Sequence, residues 1–210
     1  MPEKIKPEKD RFLPELVTSL LQVRGFECDF NDVDVSEVQD FTGVFTVSFN
    51  RQFNGDISQW DTSSATCMKR MFENSEFNGD ISRWNTSRVQ NMAAMFRKSE
   101  FNGDISKWGV SNVETMNHTF ELCALTSDVS SWNVAKVKSM FRMFVGSPFN
   151  GDISRWDVGA CEEFGQMFLA SKFTGDISRW SLPDTAQVPS VVEDEHLAFF
   201  KEPNFYHWYV

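Results

Sequence analysis

The stretch 101–120, FNGDISKWGVSNVETMNHTF, decides the fold because close copies of it return along the chain at a constant interval. One unit of this size is too small to bury its own apolar face, so the sequence predicts stacked copies that share one continuous core. Neighbouring copies begin 24 residues apart. The string FNGDIS starts at Phe53, Phe77, Phe101 and Phe149, and it returns as FTGDIS at Phe173 and as LTSDVS at Leu125.

Large apolar residues recur in the same phase, which predicts that they form the shared core. Methionine and phenylalanine positions close each unit, and a weaker copy with an offset of 27 residues precedes the first full one, at Val35 to Phe45. The in-phase aromatic residues are Trp60, Trp84, Trp108, Trp132, Trp156 and Trp180, together with Phe72, Phe96, Phe120, Phe144 and Phe168.

The spacing of apolar residues changes within each unit. Trp84 and Thr86 alternate as in a short strand, whereas the following V-x-x-M-x-x-M-F pattern has the spacing of a helix. Ser87 with Gln90 stands at the spacing of a capping box, and the Asn-Gly pair of FNGD favours a turn with positive φ. Each unit is therefore predicted to contain a strand, a short helix and a turn.

These units resemble the BspA-like leucine-rich repeats of bacterial surface proteins and mycoplasma-type lipoproteins, which read close to FNxDISxWDVSNVTNMxxMF. The resemblance covers about residues 30–182. It implies an α/β fold, a right-handed leucine-rich-repeat-like solenoid of 24-residue strand-turn-short-helix coils, used for protein binding or adhesion. Members of that family are commonly exported.

Both ends lie outside the repeat and are predicted to be caps. Residues 1–29 form an N-terminal helical cap, with an amphipathic helix over Pro14 to Val23, and residues 30–182 form about seven units. Residues 183–210 form a C-terminal cap or, alternatively, a docking element. That tail contains the aromatic residues Phe199, Phe200, Phe205, Tyr206, Trp208 and Tyr209.

No set of residues has the spacing of a catalytic site, so no enzyme, no cofactor and no metal are predicted. The histidines are isolated in sequence, and the cysteines, which lack a CxxC pair, are interpreted as free thiols. One aspartate per unit forms a column that is interpreted as turn chemistry, with calcium binding as the alternative. This column is Asp56, Asp80, Asp104, Asp128, Asp152 and Asp176.

Charge and hydropathy restrict the class of partner. The formal net charge is −10, but residues 53–182 carry 13 basic and 15 acidic side chains, so the acidity is concentrated at the two ends. The absence of a basic patch with interleaved aromatic residues argues against nucleic-acid binding. No apolar run is long enough to cross a bilayer, and the charged N-terminal stretch does not resemble a signal peptide, so the sequence predicts a cytoplasmic protein without membrane contact.

The residues on either side of each tryptophan are predicted to point outwards and to bind a protein partner with an acidic surface. Arginine and lysine dominate one column, and aspartate and asparagine dominate the other. The predicted partner-binding residues are Arg83, Lys107, Arg155, Arg179, Asp61, Asn85, Asn133 and Asp157.

The sequence thus favours a non-enzymatic module that sequesters or inhibits one protein partner, as an immunity or anti-defence factor does. The alternative is a bacterial surface adhesin that contacts a host, which the family resemblance favours and the N-terminal sequence opposes.

Overall fold

The computed structural model describes residues 4–7, 13–46, 48–184 and 186. Over these ranges the helices are α1, Leu13–Arg24, and a short 3-10 helix, Asn50–Gln52. The remainder consists of turns and of isolated parallel β-bridges that join equivalent positions of neighbouring units. Five of these bridges form one series, Asp40 to Cys67, Cys67 to Asn91, Asn91 to Thr115, Thr115 to Ser139 and Ser139 to Glu163.

The predicted α/β leucine-rich-repeat-like solenoid of strand-turn-short-helix coils is wrong. The described residues contain no strand and no sheet, and no repeat unit contains an α-helix. The segment predicted as a strand turns back at once, because the N–H of Trp84 donates to the carbonyl of Ile81 at 3.2 Å and the N–H of Val89 to that of Thr86 at 3.0 Å. The Ser87 and Gln90 pair therefore caps no helix.

The segment predicted as a helix is a run of overlapping turns. Met71, Glu73 and Ser75 donate their N–H groups three residues back, to the carbonyls of Met68, Arg70 and Phe72 at 3.1–3.2 Å. A turn of this kind places apolar residues three positions apart, as a helix does, so the spacing of the methionines does not distinguish the two structures.

The N–H groups of the intervening residues donate to backbone carbonyls of the next unit. Those of Met68, Arg70, Phe72 and Asn74 donate to the carbonyls of Asn91, Ala93, Met95 and Arg97 at 2.8–2.9 Å. The same four positions, 24 residues later, donate to Thr115, Asn117, Thr119 and Glu121 at 2.7–3.1 Å. Odd and even residues of this segment therefore have different partners, inside the unit and across the stack.

Two of these turns in each unit have a left-handed residue in third position, as a type II turn requires. In one unit they are Arg70 and Asn74, with φ of 56° and 57°. Most of these residues are not glycine, so each costs about 1–2 kcal/mol of backbone strain that the inter-unit hydrogen bonds must offset. The equivalent residues of later units are Ala94, Lys98, His118, Leu122, Arg142, Gly146, Gln166 and Ala170.

The glycine of FNGD has a different role from the predicted one. Gly79 and Gly103 have no positive φ, so the expected positive-φ turn at Asn-Gly is wrong. Instead, a Cβ at Gly79 would lie 2.7 Å from the ring of Phe77, and one at Gly103 would lie 2.7 Å from the ring of Phe101. Glycine is needed here because the preceding phenylalanine ring folds over it.

The predicted core is confirmed. The six in-phase tryptophans are only 3–8% exposed to solvent. From the second of them onwards, each indole N–H donates to the backbone carbonyl 27 residues earlier, as Trp108 does to Ile81 at 3.1 Å. Indoles of neighbouring units also stack, Trp60 on Trp84, Trp84 on Trp108 and Trp156 on Trp180, with centroids 6.2–6.4 Å apart. Each tryptophan therefore joins its own unit to the preceding one both by a hydrogen bond and by apolar contact.

The N-terminal end of the stack is covered by two elements. The helix α1 packs Leu13, Val17 and Leu21 into the core, close to the predicted bounds 14–23. Ile5 forms a parallel bridge with Val33. The aromatic residues predicted to cap the other end, beyond residue 186, lie outside the described residues.

Replacing Trp108 with Ala is expected to lower the free energy of unfolding by about 3–5 kcal/mol, the cost of deleting a large buried aromatic side chain. Trp108→Phe keeps an aromatic ring but removes the indole hydrogen bond to the carbonyl of Ile81, which retains the N–H of Trp84 as a donor, so we expect a smaller loss of about 1–3 kcal/mol. Urea unfolding measures both, with the exposed Lys107→Ala as a control that changes little. A loss below 1 kcal/mol for Trp108→Ala would contradict the core assignment.

Replacing Lys98 with Gly is expected to stabilise the fold. Lys98 is exposed and left-handed, with φ of 56°, and glycine removes that strain while adding a smaller entropy cost to folding. We expect a net gain of about 0.5–1 kcal/mol from these opposing effects. The matched control is Lys69→Gly, an exposed lysine without positive φ, which should lose stability. Equal effects of the two substitutions in thermal unfolding would contradict the left-handed assignment.

Candidate functional site

The candidate site is the tryptophan face, which we define as the exposed residues that immediately precede and follow the six core tryptophans, with the aspartates of the GDIS turns beside them. All eight residues predicted to bind a partner are exposed on this face. They lie next to buried tryptophans, and equivalent positions of neighbouring units lie side by side because the units are bridged in parallel. These residues are exposed, but the strand-borne sheet face on which they were predicted to lie is not present in the described residues, and partner binding stays a prediction.

Short turns hold the backbone of this face. The aspartate of each of the five GDIS strings, and Asp128 of the equivalent SDVS string, accepts a hydrogen bond through Oδ1 from the N–H of the serine two residues later, at 2.8–2.9 Å. We call these six aspartates the GDIS column. The chain then turns between isoleucine and tryptophan, as in the bond from the N–H of Trp108 to the carbonyl of Ile105 at 3.1 Å. The side chain that precedes each tryptophan is thereby presented outwards.

The aspartate and asparagine column after the tryptophans has a structural role. Asp61, Asn85, Asn133 and Asp157 each accept, through Oδ1, the N–H of the residue two positions later at 3.0–3.2 Å. These four side chains therefore shape the turn that follows the tryptophan. Their exposed edges also remain part of the tryptophan face.

Hydrogen bonds lower the pKa of the aspartates in the GDIS column. The main cause for Asp80, Asp104 and Asp152 is the backbone N–H of the serine two residues later, followed by the hydroxyl of that serine. A nearby basic side chain lowers the pKa further, Arg83 for Asp80 and Lys107 for Asp104. These carboxylates are thus held ionised by turn geometry, in agreement with their interpretation as turn residues.

The basic column carries charge that no close carboxylate neutralises. Among the described residues, none of Arg83, Lys107, Arg155 and Arg179 forms an ion pair within 4.0 Å. Arg83 also borders an open cavity of about 430 Å³, which Ser58, Gln59, Trp60 and Asp80 line with it. This cavity lies between two neighbouring units and could receive one side chain of a partner.

Sequence reasoning missed a charged cluster elsewhere in the stack. The carboxylate of Glu121, whose side chain is 4% exposed, accepts from Arg97 Nε at 3.3 Å and from Arg142 Nη2 at 3.2 Å, and it contacts His118 Nδ1. Arg97 also pairs with Glu73 at 2.9 Å. His118 is isolated in sequence, but in the fold it contacts a buried carboxylate. The signal was present in the sequence, because Glu73, Arg97 and Glu121 alternate in sign at one 24-residue phase.

Groups that could support metal or thiol chemistry are sparse in the described part of the chain. It contains no group of three or more His, Cys, Asp or Glu residues placed to hold a metal ion. The four cysteines are free, and burial raises the pKa of Cys123 to about 11 and that of Cys161 to about 12. These two thiols are therefore inert packing groups. His196 and His207 lie outside the described residues.

No helix in the described ranges is both long and apolar enough to cross a bilayer.

Comparison with known proteins gives one match. The family model described as Mycoplasma protein of unknown function, DUF285, matches residues 15–126 and again residues 98–199. No curated protein and no solved structure matches the chain. Because the described residues contain no strand and the family has no known function, the predicted leucine-rich repeat is wrong and the inhibitor assignment has no support. Nothing in these comparisons confirms the resemblance to BspA-like proteins.

The aspartate turns predict a specific loss of stability in acid. Because the pKa of Asp104, Asp128 and Asp152 is lower in the folded chain than in the unfolded one, their contribution is complete above the unfolded pKa and is lost as the pH falls through the folded pKa. Replacing all three with Asn keeps the acceptor oxygens but removes the titration. We expect a flatter melting temperature profile below about pH 5.

The control for this measurement replaces three exposed glutamates outside the turns, Glu76, Glu100 and Glu162, with Gln, which changes the net charge equally. Identical acid profiles for the two triple variants would show that net charge alone, rather than the turn hydrogen bonds, sets the acid sensitivity.

Proposed function

We propose that this chain, which belongs to the DUF285 family of Mycoplasma proteins of unknown function, is a non-catalytic module that binds a protein partner through its tryptophan face. The observation that carries the proposal is the set of four exposed basic side chains, Arg83, Lys107, Arg155 and Arg179, aligned on one face and free of close ion pairs among the described residues.

The stack supports binding because its backbone is tightly held where the face lies. Both neighbours of each tryptophan are attached to a residue whose indole is buried and, in most units, hydrogen-bonded to the preceding unit. A surface built on such a scaffold loses little conformational entropy on association, and this favours affinity. Arginine is also enriched among the residues that dominate binding energy at protein interfaces.

The position of the cavity supports the same surface. Arg83 lines the cavity together with Asp80 and the polar residues Ser58 and Gln59, so a partner side chain placed there would meet charges of both signs. The interior of the stack, by contrast, is filled by phenylalanine, methionine and tryptophan side chains that are almost completely buried. Binding at the surface therefore suits this structure better than enclosure of a small molecule.

Replacing Arg155 and Arg179 together with Glu is expected to weaken partner capture at least tenfold and to leave the melting temperature almost unchanged, because both side chains are exposed. Capture is measured in lysate of the source organism with the photo-crosslinking amino acid benzoylphenylalanine placed at Lys107, on the face. The matched position is the exposed Lys98, outside the face.

One protein crosslinked from position 107 and not from position 98, and lost in the double variant, is the expected result. Exposed lysines away from the face provide the charge control, Lys98→Glu with Lys172→Glu, which should retain capture in the chain labelled at position 107. Equal crosslinking from positions 107 and 98, or full capture by the Arg155 and Arg179 variant, would overturn the proposal.

A further inference from the structure

Two rows of opposite charge run side by side along the tryptophan face. The acidic row is the GDIS aspartate column, and the basic row consists of the side chains that precede four of the tryptophans, three residues further along each unit. All members of both rows are exposed. The acidic row contains Asp56, Asp80, Asp104, Asp128, Asp152 and Asp176, and the basic row contains Arg83, Lys107, Arg155 and Arg179.

The two rows influence each other without pairing. Arg155 and Arg179 both lower the pKa of Asp152, and Arg179 also lowers that of Asp176, although the hydrogen bonds from serine are the larger cause in each case. None of these pairs approaches within the 4.0 Å of an ion pair. Both rows therefore remain accessible to charges on a partner.

Each aspartate of the acidic row is held by a hydrogen bond and still has free acceptor sites for a cationic side chain. The serine N–H occupies one lone-pair direction of Oδ1, and an ionised carboxylate has about four such acceptor sites. The row thus offers ordered carboxylate oxygens at a constant interval. A cationic side chain could be received there without disrupting the turn.

A partner of one sign would fit this face poorly. A segment with only acidic side chains would be attracted by four basic residues and repelled by six neighbouring aspartates. A segment with only basic side chains would be attracted by the aspartates and repelled by the four basic residues. Like charges brought together at an interface are unfavourable and discriminate against the wrong partner. The acidic partner surface expected from sequence therefore complements only one of the two rows.

We propose, on the basis of the function proposed above, that the tryptophan face binds a polypeptide segment carrying both signs of charge in two rows. Its acidic side chains lie over the basic row, and its basic side chains lie over the acidic row. An α-helix can carry glutamates along one row of its surface and lysines along the neighbouring row, so an amphoteric helix is the partner of matching chemistry.

A gap in the basic row sets the spacing of the partner's acidic residues. The unit between the two basic pairs has Ser131 in place of a cation, and its hydroxyl donates to the carbonyl of Ser106 at 3.2 Å. The row is thereby divided into Arg83 with Lys107 and Arg155 with Arg179. Equivalent residues of the two pairs are three units apart, roughly 19 Å if each unit adds the 6.2–6.4 Å between neighbouring stacked indoles. Positions fourteen apart lie on one face of an α-helix and span about 21 Å, so they match this distance.

The test uses the whole chain and three labelled helical peptides of equal length, measured by fluorescence anisotropy at low ionic strength. The first peptide has two glutamate pairs fourteen positions apart with lysines in the neighbouring row, the second has only glutamate at the charged positions, and the third has only lysine. We expect the mixed peptide to bind at least about tenfold more tightly than either of the others, a difference of about 1.4 kcal/mol.

Variants of each row separate their contributions. The variant Arg155→Glu with Arg179→Glu should bind the mixed peptide more weakly. The variant Asp152→Asn with Asp176→Asn should also bind the mixed peptide more weakly, and it should bind the all-glutamate peptide more tightly. The control pair Lys98→Glu with Lys172→Glu lies outside the rows and should bind the mixed peptide as the unmodified chain does. Moving the two glutamate pairs seven positions closer together, which keeps both on one face of the helix, should also weaken binding.

Preferred binding of either single-sign peptide, or equal binding of all three, would overturn this inference, and so would the absence of any measurable binding. These outcomes are distinct from a failure of the proposed function. If benzoylphenylalanine at position 107 still captures one protein while the peptides are not discriminated by charge, the face binds a protein but not through paired rows.

Discussion

The structure depends on how the backbone N–H groups of each unit are shared between acceptors inside the unit and acceptors in the next unit. After the first methionine of each unit, alternate N–H groups bind three residues back inside the unit, and the others bind carbonyls of the next unit. Inter-unit bonds of this kind require equivalent positions to lie in register, and the constant 24-residue interval provides that register. The first copy, at an offset of 27 residues, keeps the same bonds, as from the N–H of Gly43 to the carbonyl of Lys69 at 3.0 Å. Identical side chains then line up along the stack, in the core and on the surface.

The aromatic core follows from that alignment. Phe72, Phe96 and Phe120 stand at one phase, and their ring centroids are 5.5 and 5.9 Å apart. The tryptophan column adds a hydrogen bond from each indole to a neighbouring unit, which an aliphatic side chain cannot make. Because each unit contacts mainly its neighbours, the loss of one tryptophan weakens two interfaces at once.

The same alignment shapes the charged surfaces. Where signs alternate along a column, as in Glu73, Arg97 and Glu121, neighbouring units attract and form a partly buried network. Where one sign repeats, as in the GDIS aspartates, neighbours repel, and hydrogen bonds from serine hold each carboxylate in place. The first arrangement stabilises the stack, and the second leaves charge exposed for a partner.

The sequence by itself determined the unit length, the identity of the core columns, the N-terminal helix and the exposure of the residues beside each tryptophan, because periodic burial leaves a periodic pattern of residue types. Only the tertiary structure decided the backbone conformation of the units. The i, i+3 spacing of Val113 and Met116 is shared by helices and by successive turns, and the choice depends on whether the free N–H groups bind four residues back or in the next unit. The sequence also could not predict the residues with left-handed backbone. Lys98 and His118 adopt this conformation because their N–H groups bind neighbouring units, and not because of a local preference of lysine or histidine.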